Sequence, residues 1–366
     1  MRILHVTESR SWSGGTVQLW NLCRVLRAHG HAVALVCPPD GELPRRLEGS
    51  GVEVTLCRMR QDYDLVAARR LAAVVRSFRP DVVHAHHPRA HALALVAGFL
   101  APIPRLVVSR RVSFRLNRWN FFSQWKYRTS RIARYVAVSA DIARVLAEGG
   151  VPADRIAVVR SGVDVDRFAP RPPDEAVRSA LGLPKGRPLV GNLNHYSWWK
   201  GQPLFLEAAK LALDAGADAH FLLVGKDTDG AEAREKVRSL GLEGRVTLAG
   251  FRTDMPEVIS ILSVCVLSSL AGEGFSGVLR ECMSMGVPVA ATDVGGNREL
   301  VEDGRTGLLV PPGDAPALAA AIRRLLTEKD LARSCAERAQ KIVRENFSIA
   351  RMAEETERLY EQVLAG

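Results

Sequence analysis

Residues 263–286 read SVCVLSSLAGEGFSGVLRECMSMG. The run opens as a short apolar strand, ending near Ser269, and passes through a loop of small residues. From about Gly277 it takes up helical spacing through Val278, Leu279, Cys282 and Met283. A strand that feeds a helix through a glycine-bearing loop is the repeating step of an open parallel sheet covered by helices. Such a step leaves a helix N-terminus beside the strand's carboxyl end, with unsatisfied N–H groups and the positive end of the helix dipole facing out. The amides of Phe275, Ser276, Gly277 and Val278 are therefore suited to a phosphate, and Gly277 lets the backbone approach it closely. Glu273 and Glu281 flank this turn. Carboxylates accept from paired hydroxyls, so a diphosphate on the turn would place a sugar against one and a ribose against the other. The bland alternative is an acid at a helix start and a solvated surface glutamate. Spacing alone does not separate the two.

The same grammar extends both ways. Upstream, RILHVT, AVALVC, VEVTLC, DVVHAH, RLVVS and YVAVS are buried-strand patterns, with amphipathic helical stretches such as TVQLWNLCRVLRAHG and DLVAARRLAAVVRSFRP between them. PLVGNL, AHFLLVG, RVTLAG, SVCVLSS and PVAATD repeat the alternation with GQPLFLEAAKLALDAG and APALAAAIRRLLTE. The proline-bearing DVDRFAPRPPDEAV reads as a linker between the two halves. The expected organisation is α/β, with two doubly wound domains over residues 1–168 and 169–345 and an amphipathic final helix over 346–366. Ligands of such folds sit at the carboxyl ends of the strands.

At 366 residues, with 47% hydrophobic and 25% charged, the chain suits two soluble domains. No stretch approaches the roughly 20 apolar residues of a membrane span, and the start, MRILHVTESRSWSGG, reads as a strand rather than a signal peptide. The six cysteines form no CxxC pair and no zinc spacing, which predicts reduced, buried thiols of a cytoplasmic protein. The net charge of +10 is uneven: residues 1–165 hold 25 Lys/Arg against 12 Asp/Glu, and the remainder 25 against 28, so +13 and −3. Anions are expected at the first half.

EGFSGVLRE resembles the E-x7-E motif of retaining glycosyltransferases of the GT-B fold, family 4, and the likeness runs on through MSMGVPVAATDVGGNRELVEDGRTGLLVPPGD. WWKGQPLFLEAAKLAL resembles that family's lysine–glycine segment, and WSGG, DVVHAHHPRAHALAL, VAVSADIARVL and IAVVRSGVDVDRF resemble it in the first half. The resemblance implies two Rossmann-like domains facing a cleft, with the final helix crossing back onto the first. It implies Glu273 on the donor sugar, Glu281 on the ribose, and the backbone at Phe275, Ser276, Gly277 and Val278 on the diphosphate. Lys200 would meet the departing phosphate, Gly14 and Gly15 would face it from the first domain, and His86 would line the sugar pocket. Taken alone, His86 is better read as a satisfied histidine at a strand end. The donor implied is a UDP- or GDP-sugar, with no further cofactor and no metal. The acceptor would be a glycan, a lipid-linked glycan or a small molecule, as in bacterial cell-envelope glycoconjugate synthesis.

Two departures stand out. The family's arginine ahead of the lysine is replaced in GNLNHYSWWKG by Asn194 or His195, a neutral or partly charged group where a fixed cation is usual. The family's glutamate after the glycine pair is missing from GGTVQLW. Asp227 and Asp229 of KDTDG mimic a metal-binding DxD but sit in turn-forming company. Residues 105–135 carry nine Arg/Lys, no acid and interleaved aromatics. Arg110, Arg111, Arg115, Arg118, Trp119 and Lys126 are expected to form an acceptor surface or a peripheral contact with the anionic inner face of the plasma membrane; the alternative is a helix pair whose aromatics face the core. No nucleic-acid partner is expected. Two other functions stay open: a GT-B sugar-nucleotide epimerase, for which Glu8 and Asp81 would be poor acid/base groups, and a non-catalytic nucleic-acid or membrane-surface binder on the same scaffold.

Overall fold

The computed structural model describes residues 1–114 and 121–366, with the side chains of all of these except 121–124. Arg115, Arg118 and Trp119 lie outside the described residues. The chain divides into two compact units, residues 1–162 with 349–366, and residues 163–348.

In the first unit seven strands alternate with helices. The strands are β1 (Arg2–Val6), β2 (Ala32–Cys37), β3 (Glu53–Leu56), β4 (Val82–Ala85), β5 (Leu106–Arg110), β6 (Ile132–Ala137) and β7 (Ile156–Val158). The helices are α1 (Gly14–Ala28), α2 (Leu43–Arg46), α3 (Leu65–Phe78), α4 (Pro88–Ala97), α5 (Phe121–Arg128) and α6 (Ala140–Glu148). The sheet is parallel, in the order β3-β2-β1-β4-β5-β6-β7. β1 is thus central, which suits its fully buried Ile3, Leu4 and Val6. The chain builds outward from β1 to β3, then jumps back to β4 on β1's other side. That reversal opens a crevice at the carboxyl ends of β1 and β4.

The second unit repeats the plan with β8 (Leu189–Asn192), β9 (His220–Leu223), β10 (Val246–Leu248), β11 (Val264–Leu267), β12 (Val289–Thr292) and β13 (Leu308–Val310), in the order β10-β9-β8-β11-β12-β13. β13, from the three residues LLV, was not singled out in the sequence. Its helices are α7 (Glu175–Ala180), α8 (Gln202–Asp214), α9 (Ala231–Ser239), α10 (Met255–Ser260), α11 (Gly277–Ser284), α12 (Ala315–Thr327) and α13 (Lys329–Asn346). Here the reversal falls between β8 and β11. Phe205 of α8 and Phe221 of β9 meet edge to face, ring centroids 5.8 Å apart, in the core beneath it.

The last helix, α14 (Ile349–Ala365), packs in the first unit. Its buried stripe of Met352, Ala353, Leu359, Tyr360 and Val363 joins Leu19, Leu22, Cys23 and Leu26 of α1 in one apolar cluster, a spacing that follows the helical period. The units divide directly ahead of the expected linker, between residues 162 and 163 rather than 168 and 169. Val163 N–H donates to Phe347 O at 2.8 Å, tying the second unit's two ends together. Phe168 is buried, so the proline-bearing stretch goes with the second unit. All six cysteines are free and buried. No described helix is long and apolar enough to cross a membrane.

Candidate functional site

Both arms of the second unit's candidate site leave strands at the reversal point. One arm follows β8: Asn194 and His195 come first, and a short turn, Trp198–Lys200, delivers Lys200 to the start of α8. The other follows β11 and carries Ser268, Ser269 and Glu273 into α11. The arms are cross-tied. Leu270 N–H donates to Trp199 O at 2.8 Å. Ser268 Oγ shares its proton between Gly201 O (2.8 Å) and Lys200 O (3.1 Å) and accepts from Asn192 Nδ2 (2.9 Å). Gly201 is required at this crossing: φ is +68°, and an added Cβ would fall 2.0 Å from Ser268 O.

This tie brings Lys200 and Glu273 together. Lys200 Nζ lies 2.6 Å from Glu273 Oε1, and Ser269 Oγ donates to the same oxygen at 2.5 Å. Both charged residues are buried, at 9% and 5% exposure. The ammonium also sits 4.4 Å from the Trp199 ring centroid. The sequence reading assigned the two residues to different parts of a ligand; the structure joins them in one buried ion pair.

Beyond Glu273, Ser276 caps α11, its Oγ accepting from Leu279 N–H at 3.4 Å. Gly277 and Val278 open the helix, so their amides have no acceptor within it. The turn is braced from beneath by buried Arg280, whose Nη2 donates to Phe275 O (3.3 Å) and Nε to Ser276 O (3.2 Å). Phe275 packs edge-on against Phe347 with centroids 5.1 Å apart. Glu281 is half-buried. Burial pushes its carboxyl up to about 7, with Arg280 and Arg167 pulling the other way.

Asn194 is buried and its Nδ2 has no partner among the described residues, an orphan donor on the Lys200 arm. His195 is exposed, meets Trp199 edge-on at 5.5 Å, and is held below the usual imidazole range first by desolvation and then by Lys200. Gln202 went unnoticed in the sequence. Fully buried, it accepts from Ser197 N–H (3.2 Å) and donates to His195 O (2.7 Å), fixing the loop's shape. Its place directly after a lysine–glycine pair was the one available signal. Asp227 and Asp229 lie in a turn after β9, Asp227 at φ +64°.

In the first unit, Gly14 and Gly15 open α1 beside the reversal point. An added Cβ at Gly15 would meet Arg111 Cδ at 3.2 Å and His87 Nε2 at 3.3 Å. His86, just past β4, is 1% exposed with both ring nitrogens engaged: Nε2 lies 2.9 Å from His5 Nδ1, and Arg111 Nη2 donates to Nδ1 at 3.2 Å. His84 in turn bonds Tyr360 Oη (2.6 Å) and Ser109 Oγ (2.7 Å). Burial, together with the neighbouring histidines and Arg111, holds His86 well below the usual imidazole range, so the ring is neutral. The cavity beside it, shared with His87 and Tyr127, measures ≈ 60 Å³. That holds a few waters. Nitrogens of His5, His84 and His86 come within 4.8 Å of one another. Their existing bonds and the adjacent guanidinium make this a core network rather than a cation site.

Of the six residues expected to form a basic surface, Arg115, Arg118 and Trp119 lie outside the described residues, and the other three are engaged within the first unit. Arg110 is buried, donating to Tyr127 Oη at 2.9 Å and to Phe114 O, and Arg111 is committed to His86. Lys126 donates to Pro88 O at 3.2 Å and pairs with Asp62 at 3.6 Å. Tyr127 is a core residue stacked on Tyr135, centroids 5.8 Å apart. Glu8 accepts from Arg89 N–H (3.0 Å) and Ala90 N–H (2.9 Å) and so caps α4, while Asp81 accepts from Arg2 N–H (2.7 Å). Neither carboxylate is free for acid/base work.

Comparison with known proteins places this geometry. Residues 188–328 match the family model described as glycosyl transferases group 1, and residues 12–167 the model for glycosyltransferase family 4. The 2-deoxystreptamine N-acetyl-D-glucosaminyltransferase of Streptomyces fradiae is 32% identical over 360 residues, covering 87% of this chain and 83% of the relative. The phosphatidyl-myo-inositol mannosyltransferase of Mycobacterium leprae is 28% identical over 358 residues, covering 93% and 91%. Among solved structures, HepE of Anabaena in complex with UDP-glucose superposes with a TM-score of 0.85 at 25% identity, covering 99% of this chain and 100% of that one. Two parallel α/β units, a strand–loop–helix site at the second sheet's reversal point and relatives matched nearly end to end lead to one conclusion: this chain belongs to glycosyltransferase family 4, with the GT-B fold.

Proposed function

We propose that the enzyme transfers a sugar from a nucleoside-diphosphate donor with retention of anomeric configuration and without a metal ion. The observation that carries this is the buried Lys200–Glu273 pair beside the open N-terminus of α11. Breaking the bond between an anomeric carbon and phosphate builds negative charge on the leaving diphosphate. Lys200 and the amides at Phe275, Ser276, Gly277 and Val278 are fixed donors for that charge and need no rearrangement as it develops. Glu273 keeps its second oxygen for donor-sugar hydroxyls, Glu281 accepts from the ribose, and the orphan amide of Asn194 donates to the diphosphate. Retention rests on the family likeness.

The UDP-glucose held by HepE supports a UDP-sugar as the donor. The acceptor we propose is a hydroxyl of a glycan, lipid-linked glycan or small molecule, since relatives act on acceptors as different as 2-deoxystreptamine and phosphatidyl-myo-inositol. The six buried free thiols suit a reducing cytoplasm. The test is release of nucleotide from UDP-, GDP- and ADP-sugars without acceptor, with proton NMR of the first-formed sugar anomer. Release confined to one nucleotide class, with the α-anomer formed from an α-linked donor, supports the reading. Failure of every nucleotide to bind, or an inverted product, overturns it.

A further inference from the structure

A cavity in the first unit lies at the opposite pole of its sheet from His86. Its volume is ≈ 440 Å³, within the range of small-molecule sites. It opens between the first residues of β5 and β6, the end of α4 and the last turn of α14. Leu95 and Ile103 supply apolar wall; Arg105, Arg131, Arg134 and Arg155 supply four positive charges, and among the described residues no acidic side chain lines it, the one carboxyl group in the lining being that of Gly366. The basic stretch 105–135 is thus split by the sheet. Arg110 and Arg111 end β5 at one pole, while Arg105, Arg131 and Arg134 stand at the other.

Surface arginines of this chain commonly pair with carboxylates, as Arg144 does with Asp141 and Glu148, or Arg324 with Glu328. Among the described residues these four do not. Each donates to a backbone carbonyl instead: Arg105 to Val363 (2.8 Å), Arg131 to Gly98 (3.1 Å), Arg134 to Ala133 (3.0 Å) and Arg155 to Thr129 (3.3 Å). Two of those bonds finish the last turns of α14 and α4. A guanidinium has five N–H donors, so most of each fork remains unused. Four like charges around one half-buried space repel one another unless an anion sits among them.

We propose that this cavity binds a phosphate-bearing anion of at least two charges, held by bidentate guanidinium contacts. It is a second anion site, built wholly from the first unit and separate from Lys200 and α11. A soluble phosphate ester and an anionic lipid head group share this chemistry.

The test uses the full chain. Inorganic pyrophosphate is titrated by calorimetry, and co-sedimentation is measured with phosphatidylglycerol vesicles diluted in phosphatidylcholine. Arg134→Ala/Arg155→Ala is compared with the charge-matched control Arg323→Ala/Arg338→Ala, both exposed positions elsewhere. Pyrophosphate bound at α11 responds to neither variant. A loss of roughly tenfold or more in pyrophosphate affinity, confined to the first variant, establishes a soluble phosphate ligand. Vesicle binding lost only in that variant, with pyrophosphate unaffected, establishes the lipid head group. Equal effects of both variants, or none, overturn the proposal. Arg134→Lys/Arg155→Lys keeps the charge without the fork and is expected to fall between; it carries the test if the alanine variant fails to fold. Donor hydrolysis is expected to be unchanged in all of them.

Discussion

Lys200 Nζ lies 2.6 Å from Glu273 Oε1, although the two residues are 73 positions apart and come from loops after different strands. Both are buried, so each is the counter-charge that makes the other tolerable. Removing one partner leaves an uncompensated charge. Lys200→Ala and Glu273→Ala are each expected to cost about 3–5 kcal/mol in urea unfolding. A Lys200→Met/Glu273→Gln double variant is expected to cost clearly less than the sum of the two. Donor hydrolysis should fall by about 10²-fold or more in every one of them. Additive stability losses would show that the pair is not coupled.

Gly201 and Gly216 both have positive φ, +68° and +86°, but only Gly201 faces backbone, with Ser268 O at 2.0 Å from an added Cβ; Gly216 faces open space. Gly216→Ala is expected to cost about 1–2 kcal/mol, the left-handed strain alone. Gly201→Ala must also part the two arms of the site, so it should cost more than that and abolish donor hydrolysis. Thermal unfolding of the two variants side by side checks the contrast.

Glu281 gives a pH signature. Burial raises its carboxyl from 4.5 to about 7 in the folded chain. Between those values the native state binds more protons than the unfolded state, so this residue makes stability fall as pH rises from about 4.5 to 7. Glu281→Gln should therefore be more stable than the native chain at pH 8, with the difference vanishing near pH 4. Ribose hydroxyls favour the charged carboxylate, so nucleotide affinity should rise about tenfold from pH 6 to 8 and be flat in Glu281→Gln. Calorimetry at the two pH values, with a flat native profile, would remove the ribose role.

Tyr360 supports the histidine row from α14, its hydroxyl 2.6 Å from His84 Nδ1. Tyr360→Phe leaves that buried nitrogen without a partner and is expected to cost about 1–3 kcal/mol. Nucleotide affinity, which we assign to groups of the second unit, should not change. Urea unfolding and calorimetry separate the two readouts.

Much of this site was legible in the linear chain because its parts are local. The strand–loop–helix step of residues 263–286 puts Glu273, the cap at Ser276 and Glu281 within one short segment, so chain geometry alone sets their order around the helix N-terminus. The alternation of apolar runs and amphipathic stretches likewise determined two doubly wound units, since period and length distinguish buried strands from helices without reference to neighbours. What the tertiary structure decided is every relationship across the sheets. The meeting of Lys200 with Glu273 depends on β8 lying beside β11. The enclosure of His86 depends on His5 and His84 standing in register on β1 and β4, with Arg111 arriving from β5. Arg110 and Arg105 are five residues apart in a single basic run, yet a strand's extended rise carries them to opposite poles of the sheet. Composition counts such charges together; only the packing of the strand between them determines which is buried against a tyrosine and which lines a cavity.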